Sequence, residues 1–317
     1  MSLFDKKRTK RKPLERVDIN RRFNLLGRVG QGSMSKVWKA EDVTSHRKVA
    51  VKVLDKEKTI KFEKRFAGLH KPTEGDVALS LIHPNIVRTH DVGMTTKSEI
   101  FLVMDYVDGS GLSLLSDLQG DLMKRYRLRF MIQIGDALAY MHKRGWIHRD
   151  LCPRNVLVTE DYEVKLIDFG LVVPDTPDFH KPGNRTGTAN YMAPELILRR
   201  PTDRRLDVFS YAVTCFELYA KRTPWQAAIT LDAVVQHINQ EPLEITKEVP
   251  GIDSQIAEVI MKGLKRDPDD RWQTVAEMVK QFREAEGRLV KVSQAVLARS
   301  EAAQSEELRR ADPRASE

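Results

Sequence analysis

Two short segments in the second half of the chain carry acidic and amide side chains at a spacing suited to phosphate chemistry. The first reads His148-Arg149-Asp150-Leu151-Cys152-Pro153-Arg154-Asn155 and the second Ile167-Asp168-Phe169-Gly170. Asp150 could orient and deprotonate a hydroxyl group, while Asp168 and Asn155 could hold Mg²⁺ on a triphosphate, since this ion prefers hard oxygen ligands. The spacing therefore predicts phosphoryl transfer to a hydroxyl.

A glycine-rich turn lies upstream between two β-like runs. It reads Gly30-Gln31-Gly32-Ser33-Met34-Ser35-Lys36-Val37. Glycines let backbone amides approach phosphate oxygens with no Cβ in the way, although a simple hairpin turn explains such a motif equally well. Because a strand and not a helix should follow, a dinucleotide-binding βαβ unit is disfavoured.

Five motifs in order resemble the eukaryotic-type protein kinase catalytic domain. Besides the three segments above, they are Val49-Ala50-Val51-Lys52 and Ala193-Pro194-Glu195. The resemblance covers roughly Phe23 to Ala285. It implies an α+β, bilobal, protein kinase-like fold: a small N-lobe with an antiparallel β-sheet and one helix, and a larger, mainly helical C-lobe.

The resemblance also implies how ATP would bind. Lys52 would neutralise the α- and β-phosphates. Its ion-pair partner would be Glu74, ten residues before the proline of His83-Pro84-Asn85, in preference to Asp76 or Glu63. Val37 and Ala50 would roof the adenine, Leu157 would close it from below, Met104 would limit the pocket's depth, and the backbones of Asp105 and Val107 would bond it. The implied ATP-binding residues are Gly30, Gln31, Gly32, Ser33, Val37, Ala50, Lys52, Met104, Asp105, Val107 and Leu157.

The catalytic residues implied by the resemblance come with one departure. Asp150 would be the catalytic base, and Asn155 and Asp168 would bind Mg²⁺. Ser/Thr-specific members usually carry lysine two residues after the aspartate, where this chain has Cys152. We hypothesise that Arg154 supplies the missing charge, since its planar fork suits phosphate oxygens. Ser35, at the third glycine position, is a second departure.

The segment from Gly187 to Glu195 resembles the Ser/Thr-specific type, in which Thr188 bonds the catalytic aspartate. Arg149, before that aspartate, usually signals control by phosphorylation. The acceptor is open between Thr186 and Thr176, since Asn184 stands at the usual threonine position, and constitutive ordering without phosphate is the rival. Two further matches are architectural. Asp207 should hold the backbone of the His148–Asp150 turn, and Arg271 should pair with Glu195.

These residues require elements to position them. We expect a basic tail over 1–19, a catalytic domain over 20–285 (N-lobe about 20–106, C-lobe about 112–285), and a helical extension or tail over 286–317. Alternation predicts strands and 3.6-residue periodicity predicts helices. The predicted strands are Phe23–Val29, Lys36–Glu41, Lys48–Leu54, Ile86–Val92 and Ile100–Tyr106. The predicted helices are Gly75–Leu81, Tyr126–His142, Leu206–Ala220, Leu231–Asn239, Ile256–Leu264, Val275–Ala285 and an extra one over Glu284–Arg310.

Composition limits the class of protein. The 317 residues are 41% hydrophobic with a net charge of +8, and no apolar run approaches the roughly 20 residues that span a bilayer. Two cysteines exclude a disulfide scaffold and favour a reducing compartment, so we expect a cytoplasmic protein. The basic run from Lys6 to Lys12 could dock on nucleic acid or an anionic membrane. A solvated tail is favoured because no aromatic residues are interleaved.

The sequence as a whole predicts an ATP- and Mg²⁺-dependent serine/threonine protein kinase that acts on other proteins and leaves room for autophosphorylation. The alternative is a pseudokinase, a nucleotide-binding scaffold without efficient transfer. Cys152 and Ser35 are its only support, whereas retention of Lys52, Asp150 and Asp168 opposes it. A small-molecule phosphotransferase is disfavoured by the peptide platform that Thr188–Glu195 would build. No oligomeric state is predicted.

Overall fold

The computed structural model describes residues 14, 16–31, 35–182, 186–225 and 238–311. Five predicted features therefore lie wholly or mostly outside the described residues. They are the basic run before Pro13, Gly32, Ser33, Asn184 and the helix expected over Leu231–Asn239.

A six-stranded sheet forms the first lobe. Its strands lie in the order β1-β5-β6-β4-β3-β2, and every neighbouring pair is antiparallel except β1 and β5. The parallel pair places Arg16–Val17 inside the stretch expected as a tail, so folded structure begins before residue 20. The strands are β1 Arg16–Val17, β2 Phe23–Gln31, β3 Ser35–Asp42, β4 Lys48–Leu54, β5 Thr89–Thr95 and β6 Ile100–Asp105.

The first lobe carries more helix than the single one predicted. These helices are α1 Ile19–Arg22, α2 Lys56–Glu63 with a 3₁₀ turn at Lys64–Phe66, and α3 Glu74–Ser80. α3 matches the expected Gly75–Leu81 within one residue at each end. α2 was missed because its sequence, KEKTIKFE, carries too few apolar residues to show a period. It begins where the Asp55 side chain accepts a hydrogen bond from the Lys58 amide at 3.0 Å.

The second lobe is mainly helical, with two small sheets beside the site. One sheet has the order β10-β9-β7, and β8 pairs with β11. Its elements are β7 Gly109–Gly111, α4 Leu112–Leu118, α5 Asp121–Lys143, β8 Trp146–Ile147, β9 Val156–Thr159, β10 Val164–Leu166, β11 Val173–Pro174, α6 Pro194–Ile197, α7 Arg205–Ala220, α8 Ile245–Glu248, α9 Ser254–Gly263 and α10 Val275–Ala311.

One apolar core extends through both lobes. It includes Val77 and Leu81 from the first lobe, Leu166 and Phe169 near the site, and most of α7. α7 is buried almost all round, which explains its nearly continuous apolar sequence. Ile86, predicted to begin a strand, instead bridges to Leu166, so β5 begins at Thr89. This bridge links the lobes beside the catalytic segments.

The last helix corrects a second prediction. The helices expected over Val275–Ala285 and Glu284–Arg310 form one continuous helix, α10, because nothing in the sequence between them breaks the helical period. Among the side chains described up to residue 295, Ala285 is the last fully buried one, and residues 287–295 are exposed. None of the helices in the described part of the chain is long and apolar enough to cross a membrane.

Candidate active site

The turn that carries Asp150 is held from below by a buried carboxylate on α7. Asp207 accepts hydrogen bonds from the His148 amide at 2.7 Å and the Arg149 amide at 2.8 Å. Arg149 adopts a left-handed backbone with φ 69°, which costs energy that the two hydrogen bonds offset. The predicted role of Asp207 in holding this turn is confirmed. His142, at 2.8 Å from the same carboxylate, was missed, since its place on α5 carries no distinguishing sequence signal.

The Asp150 carboxylate lies between two polar neighbours. Its Oδ1 accepts hydrogen bonds from the Thr188 amide at 2.7 Å and the Thr188 hydroxyl at 2.9 Å. The Asn155 amide group donates to Asp150 Oδ2 at 3.1 Å and to its backbone carbonyl at 2.8 Å. Burial raises the pKa of Asp150, although the Thr188 hydrogen bonds oppose the shift. A carboxylate with a raised pKa and a fixed orientation is suited to accept a proton.

Gly187 allows Thr188 to reach the aspartate. Its φ is 138°, a conformation that L side chains rarely adopt. A Cβ at this position would lie 3.0 Å from the Arg149 carbonyl oxygen. Glycine is therefore required at the point where the two catalytic segments meet.

Lys52 forms the centre of a buried ion-pair cluster. Its Nζ lies 2.6 Å from Glu74 Oε1 and 2.8 Å from Asp168 Oδ1. Burial alone would lower the pKa of Lys52, but the charges of Asp168 and Glu74 outweigh it and raise the pKa above its ordinary value. The predicted Lys52–Glu74 pair is therefore present, and it joins β4, α3 and the segment after β10.

Glu74 is the first residue of α3, so the cap of this short helix fixes where the carboxylate lies. Thr73 caps the helix: its hydroxyl accepts from the Asp76 amide at 3.3 Å, and its own amide donates to Asp76 Oδ2 at 3.1 Å. Asp76, the rival candidate for the ion-pair partner of Lys52, therefore serves as a capping residue. Glu74 is the residue of this helix that bonds to Lys52.

Among the described residues, Asp168 Oδ2 and Asn155 Oδ1, one oxygen from each candidate metal ligand, accept no hydrogen bond. Asp168 has φ 71°, and its Oδ1 accepts from Lys52 and from the Gly170 amide at 3.1 Å. Burial would raise its pKa, but Lys52 holds the pKa of Asp168 below its usual range. The Asn155 side-chain nitrogen donates both of its hydrogen bonds to Asp150, which leaves the amide oxygen for a metal ion. One carboxylate and one amide oxygen fit a Mg²⁺ site in which phosphate oxygens would supply further ligands. Within the described ranges, no group of three or more His, Cys, Asp or Glu side chains forms a metal site.

The expected adenine-binding residues beyond the glycine turn lie on β3, β4, β6 and β9 and in the segment after β6. Lys52 is the one of these that lines the cavity beside Glu74 and Asp168. Ala50 and Met104 are opposite each other on β4 and β6 and are both buried. Val37 on β3 and Val107 after β6 pack against the same core. Leu157 lies on β9 opposite Gly111. The carboxylate of Asp105 turns to His90, at 2.6 Å.

The part of the glycine turn that is described forms a strand edge. Gly30 and Gln31 end β2 and pair with Val37 and Lys36 on β3. Ser35, the third glycine position, begins β3 opposite Leu54 and is buried. A cavity of about 610 Å³ lies beside Lys52, Glu74, Asp150 and Asp168.

Arg154 and Cys152 both lie next to Thr188. Arg154 is exposed, and its Nη2 donates to the Thr188 hydroxyl at 3.4 Å. Cys152 is 1% exposed, with Sγ 3.8 Å from the same hydroxyl. Burial raises the pKa of the Cys152 thiol, so this cysteine is kept protonated.

The predicted pairing of Arg271 with Glu195 is confirmed. Arg271 donates two parallel hydrogen bonds to the Glu195 carboxylate, at 2.8 and 2.7 Å, and both residues are buried. A second contact, between the Tyr191 hydroxyl and the Glu217 carboxylate, was not predicted. Tyr191 and Glu217 are far apart in sequence, and only the fold brings them together.

The two candidate phosphate acceptors differ in surroundings. The Thr186 hydroxyl is buried and, among the described residues, has no hydrogen-bond partner. Thr176 is half-buried and begins a turn in which its carbonyl accepts from the Phe179 amide at 2.9 Å.

Comparison with known proteins agrees with this geometry. A family model described as a protein kinase domain matches residues 23–282. The chain is 31% identical over 267 residues to the serine/threonine-protein kinase PknB of Mycobacterium leprae, covering 82% of this chain and 42% of that protein. It is 34% identical over 266 residues to a probable serine/threonine-protein kinase of Streptomyces coelicolor, covering 81% of this chain and 39% of that protein. The chain thus spans about two fifths of the length of these curated relatives.

Proposed function

Because the chain belongs to the protein kinase family, we propose that it transfers the γ-phosphate of ATP to serine and threonine hydroxyls of other proteins. The observation that carries this proposal is the contact of Lys52 with both Glu74, at 2.6 Å, and Asp168, at 2.8 Å. This contact supports the proposal because it joins the cation proposed to bind phosphate to the carboxylate proposed to bind Mg²⁺.

Asp150 acts on the acceptor. A substrate hydroxyl beside the Asp150 carboxylate would be oriented for attack on the γ-phosphorus, and the bond from phosphorus to the β-phosphate oxygen would break to release ADP. The hydroxyl proton passes to Asp150 late, since the transition state is loose. Mg²⁺, when bound, would neutralise phosphate charge, and Asn155 and Asp168 are the residues that would hold it.

Arg154 supplies the charge that Cys152 lacks. It is exposed beside Thr188, whereas Cys152 is buried and neutral. A guanidinium can bind two phosphate oxygens at once, so Arg154 fits the terminal phosphate of a nucleotide held by Lys52. Thr188, bonded to Asp150, supports specificity for serine and threonine.

The proposal also includes autophosphorylation and a cytoplasmic location. Autophosphorylation at Thr176 is favoured by its accessibility, whereas Thr186 would require the segment to open first. A mass spectrum of the protein after incubation with ATP distinguishes these sites from an unmodified, constitutively ordered loop. The two buried free thiols, Cys152 and Cys215, fit a reducing cytoplasm.

The first test is transfer of labelled phosphate. Purified protein is incubated with γ-labelled ATP, Mg²⁺ and a generic basic protein acceptor, beside an Asp168→Asn control. We expect label on serine or threonine with the wild type and none with the control. ATP binding without any label would instead indicate a nucleotide-binding scaffold, and label on a small metabolite alone would indicate a different acceptor class.

A further inference from the structure

An aromatic cluster connects the first lobe to the segment that follows Asp168. Phe62 and Phe66 lie one turn apart at the end of α2, with ring centroids 5.3 Å apart. Phe66 contacts Phe179, from beyond β11, at a centroid distance of 6.0 Å. Ile147 and Val173, from the paired strands β8 and β11, complete the buried core of this cluster.

The chain that follows Phe66, on the first-lobe side of the cluster, runs directly to Glu74. From Phe66 the chain makes compact turns, with the Leu69 amide bonded to the Phe66 carbonyl at 2.9 Å and the Lys71 amide to Leu69 at 2.9 Å. The ammonium group of Lys71 lies over the Phe62 and Phe66 rings, at 5.4 and 5.8 Å from their centroids. Thr73 then caps α3, whose first residue is Glu74. Phe66 is therefore joined to Glu74 by a short, hydrogen-bonded stretch of chain.

The other side of the cluster is anchored to the second lobe. Asp175 is buried, and its carboxylate lies 2.7 Å from His180 Nε2 and 2.6 Å from Arg204 Nη2. The Thr202 amide donates to the His180 carbonyl at 2.8 Å. These contacts fix the turn that presents Phe179, so its ring is a rigid support for Phe66.

We propose that Phe66 and Phe179 are positioning residues that clamp the α2–α3 connection onto the segment after Asp168 and so keep Glu74 on Lys52. This inference rests on the proposed function, because it assigns a catalytic consequence to the clamp. α3 has only seven residues, too few to be stable without packing, so an external support for Glu74 is physically needed. The cluster is apolar, and its clamping effect requires no phosphate on the segment.

The test uses the full chain with Phe66→Ala and Phe179→Ala, each alone and in a Glu74→Gln background. If the clamp acts through Glu74, each substitution lowers kcat about tenfold when Glu74 is present, which is within the range found for coupled residues. In the Glu74→Gln background, each substitution lowers kcat less than about twofold. KM for the protein acceptor stays unchanged. Phe66→Leu, which keeps most of the apolar contact, restores most of kcat.

Tyr126→Ala is the matched control. Tyr126 stacks on Tyr162 at 4.2 Å in the second lobe, so its loss removes a comparable ring contact with no connection to Glu74. We expect kcat of this variant to equal that of the wild type. An equal fall in kcat for the control and the clamp variants, or equal effects of the clamp substitutions with and without Glu74, would overturn the proposal.

Hydrogen exchange separates the clamp from the proposed function. Both clamp variants should speed amide exchange in 74–80 and in 171–182 together, whether or not the protein transfers phosphate. Unchanged exchange in 74–80 would overturn the clamp even in an active kinase. If the wild type transfers no phosphate but the clamp variants still show faster exchange in both segments, only the proposed activity is contradicted.

Discussion

The least usual residue of the candidate site is Cys152. Ser/Thr-specific kinases usually place lysine there, and in this chain the position is a buried thiol whose raised pKa keeps it neutral. Arg154, two residues on, is exposed and donates to the Thr188 hydroxyl. In the proposed function, Arg154 supplies the positive charge that the usual lysine would provide.

Removing Arg154 should therefore slow transfer without weakening nucleotide binding. We expect Arg154→Ala to lower kcat about 10²-fold, as loss of one electrostatic contact to the transition state commonly does. ATP affinity should stay within about twofold, because Lys52 and the adenine-binding residues are untouched. Steady-state kinetics and a nucleotide titration measure the two quantities.

A second substitution tests whether charge is the cause. Cys152→Lys, made in the Arg154→Ala background, restores a cation on the usual side and should recover part of the lost turnover. Cys152→Met in the same background is the control and should recover none. Turnover of Arg154→Ala equal to that of the wild type would contradict the assigned role.

At the scale of elements, one buried ion pair joins α6 to the loop before α10. Arg271 donates to Glu195 twice and also to three backbone carbonyls, those of Lys265, Arg205 and Arg266. Every polar group of the guanidinium is thus engaged although the residue is fully buried. The pair fixes the start of α6, which follows the segment that carries Thr188.

Breaking this pair should cost stability before it alters chemistry. Either Glu195→Gln or Arg271→Met alone should lower the free energy of unfolding by about 3–5 kcal/mol, because each leaves a buried group without its partner. The double variant should lose less than the sum of the two. Urea unfolding of all four proteins gives the coupling energy, and strict additivity would show that the pair does not act as a unit.

At the scale of the whole molecule, the described chain ends in a helix that continues beyond the core. Up to residue 295, Ala285 is the last fully buried residue of α10, and Leu289, Val290 and Val292 are exposed. Arg288 makes the last described contact with the domain, to Asp253 at 2.5 Å.

A chain ending after Arg288 should fold and work as the full chain does. We expect Tm within about 2 °C of the full chain, since residues 289–295 are all exposed, and we expect unchanged kcat. Thermal unfolding and the phosphate-transfer assay measure both. A large fall in Tm would mean that the extension packs on the domain or on a second copy, and a dilution series of Tm would tell these two apart.

Much of the site was predictable because its motifs are local. Asp150, Asn155 and Asp168 lie within nineteen residues of one another, and Lys52 ends an alternating apolar run. The contacts of Asp207 and Arg271 were also expected, from the family resemblance. Helix α2 was not, because it has too weak an apolar period.

The sequence by itself determined most of the strands and helices, the candidate catalytic residues and the family, since these depend on residue type and local spacing. Only the tertiary structure decided that Arg154 lies beside Thr188 and that Phe66 contacts Phe179. Phe66 and Phe179 are more than a hundred residues apart, and no local pattern distinguishes them from other buried aromatic residues. Their contact depends on how two lobes pack, which is a property of the whole core.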